Sequence, residues 1–128
     1  MASVHPLKIT KNEVVLKTYR TDSNGGTIQI ELDSDDIVDD GEQFKGDTSE
    51  VHIKEIFWGA KKDKQIDISR VNDPVANTVH GHYYLLNAGH YKFNGFVDNT
   101  YANGAIRIVG DGPFHVTLVL HKNGFTRT

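Results

Sequence analysis

The sequence predicts an all-β protein, an antiparallel sandwich or jelly roll of about eight strands with little or no helix. Three observations predict it. Apolar and polar residues alternate in one run after another, as half-buried strands require. Turn residues separate the runs at intervals of about ten residues. Twelve glycines punctuate 128 residues in which no heptad or helical repeat occurs.

Residues 1–12 are polar and unpatterned, which predicts an N-terminal arm ahead of a single domain over 13–128. The first strand is expected from Glu13 to Arg20. Ser23-Asn24-Gly25-Gly26 follows, and its Asn-Gly pair is expected to make a tight hairpin at positive φ. Thr27 to Leu32 places Ile28, Ile30 and Leu32 on one face. Ser34 to Phe44 reads as a loop with one helical turn, capped by Ser34 and favoured by Asp36, Asp39 and Asp40. Val51 to Ala60 is apolar on both faces towards its end, which suits a central strand. Gln65 to Ser69 is a shorter strand reached through Lys61 to Lys64. Arg70 to Gly81 contains Asn72-Asp73-Pro74 and is expected to be a long connection. Tyr83 to Leu86, Tyr91 to Val97 and Ala105 to Val109 complete the middle of the chain. In the last strand Phe114, Val116, Leu118 and Leu120 alternate with His115, Thr117, Val119 and His121.

Charge is distributed unevenly. Between Glu31 and Glu50 nine acids stand against Lys45, a charge of −8, whereas the whole chain carries −3 and the remainder therefore +5. Such a molecule can attract copies of itself or an oppositely patterned partner, and the attraction weakens with salt. The modest net negative charge argues against general nucleic-acid binding. No apolar run approaches a membrane span, and MASVHPLKIT lacks the apolar stretch of a signal peptide, so a chain made in the cytoplasm is expected.

With no cysteine in the chain, disulfides, thiolate metal sites and cysteine nucleophiles are excluded. Seven histidines raise the question of a metal. His80 and His82 would share one side of a strand and could chelate an ion, and a later Gly-Pro-Phe-His stretch resembles the cupin metalloenzymes. Cupins carry a glutamate soon after His-x-His, whereas Leu86 and Asn87 stand here and no acid occurs between His80 and Asp98. An EF-hand alignment on Gly41 puts Val38 at a ligand position and fails. There is no G-x-S-x-G, phosphate-cradling loop or H-E-x-x-H. Asp67 beside Arg70, and Glu55 beside Lys54, are pairs that any β protein offers. No enzyme and no cofactor are expected. Phe57 and Trp58 are adjacent, so one enters the core while the other reaches a second layer or another subunit.

Taken from Val14 to Lys122, the chain resembles the small virion structural proteins of tailed bacteriophages. The resemblance is carried by the acidic stretch Glu31-Leu32-Asp33-Ser34 and by Val51, Ile53, Ile56 and Trp58 in a V-x-I-x-x-I-x-W strand. It continues in Gln65 to Ser69, which lacks that segment's usual tryptophan, in Gly89-His90-Tyr91-Lys92-Phe93, and in a final strand from Val116 to Lys122. It implies a non-enzymatic capsid decoration (cement) protein on the capsid surface of the virion, a homotrimer that clamps the major capsid protein and contacts neither nucleic acid nor membrane. A phage neck, tail or fibre-base adaptor is the alternative, followed by a carbohydrate- or metal-binding β module. Contact residues are expected in the arm (His5, Leu7), the acidic connection (Asp35, Asp36, Phe44), at Trp58, and near Pro74 and His80.

Overall fold

Alternation in the sequence becomes alternation in burial. In a computed structural model, which describes residues 2–10, 12–39, 41–44, 49–73, 78–92 and 104–127, the chain forms strands β1 (Ala2–Ile9), β2 (Glu13–Arg20), β3 (Gly26–Ile30), β4 (Glu42–Gln43), β5 (Glu50–Ala60) and β6 (Gln65–Asp73). These are followed by β7 (Thr78–Leu86), β8 (Ala88–Lys92), β9 (Ala105–Gly110), β10 (Phe114–Asn123) and β11 (Thr126–Arg127). Phe114, Val116, Leu118 and Leu120 of β10 turn inward with Val14 and Leu16 of β2, while the residues between them face out.

Every pairing is antiparallel. One sheet has the order β1-β2-β10-β5-β8 and the other β3-β9-β6-β7, with β4 and β11 as a small separate pair. From β2 to β10 each connection between the main strands passes from one sheet to the other, except the hairpin joining β6 to β7. That is the eight-stranded jelly-roll order, extended at one edge by β1. Ile28, Ile30, Ile66, Ile68, Ile106 and Ile108 of the smaller sheet meet Leu16, Ile53, Ile56, Val116 and Leu118 of the larger one in a single core. Each such side chain contributes about 1.5–3 kcal/mol on burial.

Several expectations change. Residues expected as an N-terminal arm form β1, which runs along β2 from Ala2 opposite Arg20 to Ile9 opposite Val14. Val4 and Ile9 pack against the core, which holds the strand down; Pro6 and the bulge before Lys8 blunt the outer edge. The glycine turn does adopt positive φ, 72° at Gly25, but it joins β2 to β3 in different sheets and is a crossover, not a hairpin. The connection expected over Arg70 to Gly81 is largely strand, since β6 runs on to Asp73 and β7 begins at Thr78. Pro74 and residues 93–97 of the expected Tyr91 strand lie outside the described residues. Arg70 stands opposite His80 and Val71 opposite Val79, so pairing within the hairpin supplies the order that local composition did not announce.

Between β3 and β5 the acidic connection is pinned from beneath. Leu32 and Ile37 are buried, and Ile37 and Val38 both donate backbone N–H to Ser34 O, one helical turn. Further on, Glu42 turns inward to a buried ion pair with Lys122 of β10.

Candidate functional site on the outer face of the larger sheet

Strand order places residues from five separate strands on one outward surface. In a first row Ser3, Tyr19, His115, Gly59 and Ala88 stand side by side. In the next are His5, Lys17, Thr117, Phe57 and His90. Beyond them come Lys8, Val15, Val119, Glu55 and Lys92, and then Glu13, His121 and His52. Five of the seven histidines therefore share this face. The even spacing of His115 and His121 puts that pair in register within one strand. The other three join them only through pairing between distant segments.

Rings organise the surface. Phe57 is 39% exposed, and the His90 imidazole stacks flat upon it at 4.1 Å and 6°. His90 Nε2 lies 2.9 Å from Glu55 Oε1, which fixes the stack from one side. His5 stacks on Tyr19 at 5.8 Å and stands 2.6 Å from Ser3 Oγ. His52 and His121 lie ring against ring at 6.5 Å, with His52 buried. Of the acids on the face, Glu55 meets His90, and Glu13 meets Lys8 at 3.0 Å. Lys17 and Lys92 carry no ion pair among the described residues, so the face is locally cationic and aromatic. It ends at β8, an edge strand exposed along all five residues, Tyr91 among them, with exposed Leu86 close before it in the chain.

At the end of the sandwich where β2 and β5 finish, the surface dips into an open trough of about 560 Å³. Gly59 and Ala88 line it, with Tyr19, Arg20, Lys61, Pro113 and His115 among the other residues around it. A side chain at Gly59 would project onto the exposed His115 ring, which would have to turn aside to admit it. No carboxylate lines it.

The expected contact residues scatter around this surface. His5 is on it, and Leu7, the unpaired residue of the β1 bulge, is 61% exposed at its margin. Asp35 is exposed and Asp36 half-buried. Burial and the neighbouring Asp35 push the Asp36 carboxyl above its ordinary value, with His5 acting in the opposite direction, so the structure brings His5, Asp35 and Asp36 into one electrostatic group. Phe44 and Trp58 pack against the core. Phe44 meets Phe125 at 5.7 Å, and the Trp58 indole N–H donates to Leu86 O at 3.1 Å. Of the adjacent aromatic pair, Phe57 is therefore the outward member. His80 and His82 belong to β7, where pairing passes from Gly81 to Tyr83. Among the described residues no group of three histidines or carboxylates could hold a metal ion.

Asp36 also yields a test. A carboxyl raised in the folded state binds its proton more tightly there, so it subtracts stability as pH climbs from the unfolded value of 3.8 through the folded one. Asp36→Asn is expected to raise the thermal midpoint slightly at neutral pH and to leave it unchanged in acid, as measured by melting at both pH values.

Compared with protein-family models, with curated proteins and with solved structures, the chain matches none.

Proposed function

We propose that this protein is a non-enzymatic virion structural protein of a tailed bacteriophage, a capsid decoration protein that binds the major capsid protein shell as a homotrimer and stabilises it. The observation that carries the reading is the outer face of the larger sheet. There a stack of Phe57 and His90, two lysines without ion pairs among the described residues and a fully exposed edge strand form a preformed contact surface. Ordered rings lose little freedom on docking, which favours recognition by shape over capture by a flexible loop. The jelly roll adds a fold-level analogy, since viral capsid domains use it, as do lectins and cupins. The diffuse resemblance along Val14 to Lys122 points to the first of these. Three-fold repetition on a shell would turn modest single contacts into tight binding through effective concentration.

The test is co-sedimentation of purified protein with undecorated shells, together with the temperature at which the shells dissociate. Binding with a raised dissociation temperature is expected. Protein that stays in the supernatant and leaves the shells unchanged overturns the reading. Particle mass spectrometry separates it from the neck, tail or fibre-base alternative, because a shell-wide protein and a portal-ring protein differ greatly in copy number.

Phe57 is the anchor of that surface. Phe57→Asp is expected to weaken shell binding by about thirtyfold or more, the effect of losing a buried aromatic hot spot. Its thermal midpoint should stay close to that of the unaltered chain, because the ring already faces solvent.

A further inference from the structure

We propose that copies of the chain associate head to tail, the acidic turn over residues 31–39 of one copy seating in the trough over Gly59 and Ala88 of the next. This rests on the self-association in the proposed function and names the surfaces that meet.

Charge supplies the first argument. The trough is bounded by Arg20, Lys61 and His115 and contains no carboxylate. Lys61 carries no ion pair among the described residues, while Arg20 is already held by Asp22 at 2.6 Å. On the turn, Asp33 and Asp35 are exposed and without ion pairs among the described residues. Negative charge is crowded there, since Asp35 helps to push the Asp36 carboxyl upward. A cationic neighbour relieves that crowding.

Position supplies the second. The trough lies where Arg20, Phe114 and Ala60 stand in one register row, at the finish of β2 and β5. The acidic connection leaves β3 at Ile30 and returns at Glu50, the opposite end of β5. The five residues of β3, about 17 Å of strand, separate the glycine turn at the trough end from the start of the acidic one. Unlike surfaces at different places on one molecule make a heterologous contact, which closes into a ring when the rotation between copies allows. Three copies in such a ring are the proposed trimer.

Rigidity supplies the third. Leu32 and Ile37 are buried beneath the turn, and hydrogen bonds to Ser34 O fix its backbone. Little order remains to be imposed on docking.

Sedimentation velocity of the full chain at low and high ionic strength tests this. The unaltered chain is expected to form a closed oligomer that loosens with salt. Lys61→Glu, or Asp33→Lys with Asp35→Lys, should weaken association by about tenfold or more. A chain carrying both reversals should regain it. Circular dichroism melting verifies that each variant is folded, and all three sites are exposed. A monomer at low salt, or an oligomer indifferent to both reversals, overturns the proposal. Shell co-sedimentation in parallel separates the two claims. A monomer that still binds shells removes the head-to-tail contact alone. An oligomer broken by each reversal, restored by their combination and indifferent to shells removes only the decoration reading.

Discussion

Replacing Lys122 by methionine while Glu42 remains is expected to cost about 3–5 kcal/mol of folding stability, the usual consequence of removing one member of a buried ion pair. Both side chains are fully buried. Lys122 Nζ donates to Glu42 Oε1 and, at 3.0 Å, to Thr10 O, and it lies 4.9 Å from the centre of the Phe125 ring. One ammonium group thus ties β10 to the β1–β2 turn and to β4. Glu42 Oε1 also accepts the Asp39 N–H at 3.1 Å, whereas Oε2 is buried without a hydrogen bond among the described residues. Once the lysine is gone, the carboxylate must take up a proton or drag the acidic connection open to reach water. A domain of ordinary stability holds only about 5–15 kcal/mol in total, so the loss should appear as a large fall in the urea midpoint. Glu42→Leu combined with Lys122→Met should recover much of it, because a buried pair contributes little over an apolar replacement of similar volume. A Lys122→Met chain as stable as the original would show that the pair does not hold the acidic connection in place.

The same two residues show where sequence reading stops. Period-two alternation was sufficient for β2, β9 and β10, whose inward residues are the ones the pattern selects. Lys122 continues the inward phase of Val116, Leu118 and Leu120. A charge in an apolar phase is a signal of a buried partner, but the partner, Glu42, lies 80 residues away. Nothing local identifies it. Turn chemistry was legible in the same limited way. Gly25 announces a reversal with positive φ, yet whether the next strand pairs beside β2 or crosses to the opposite sheet depends on which apolar faces meet. The proposed contact surface was less legible still. His115 and His121 share a face by spacing, whereas His5, His52 and His90 reach it only once β1, β5 and β8 have taken their places in the sheet. Phe57 and Trp58 had to point apart, but only the packed fold shows which faces water.

Arg70 should be equally costly to lose, for a reason that bears on the whole sandwich. Its side chain is fully buried on β6. From the smaller sheet the guanidinium reaches Val51 O at 2.8 Å, at the start of β5 in the larger sheet. It also grips Gly104 O, the residue leading into β9, with Nε at 3.1 Å and Nη2 at 2.8 Å. These carbonyls lie at the end of the molecule where the acidic connection re-enters β5. Arg70→Leu leaves them without these donors in an apolar interior. Charged hydrogen bonds contribute about 1.5–3 kcal/mol each, and shared ones add incompletely, so a total loss of roughly 3–5 kcal/mol is expected. Arg70→Lys should rescue little, because a single ammonium cannot span both carbonyls as a planar fork does. Hydrogen exchange offers a sharper readout than melting. Amides at the starts of β5 and β9 should lose protection together in either variant, since one group holds both. The Phe57–His90 surface lies further along β5 and shares no hydrogen bond with Arg70. Under the proposed decoration role, shell binding by the Arg70 variants should therefore survive at temperatures where they remain folded. If binding failed there while Phe57→Asp bound normally, the docking surface would have to be sought at the Arg70 end of the sandwich.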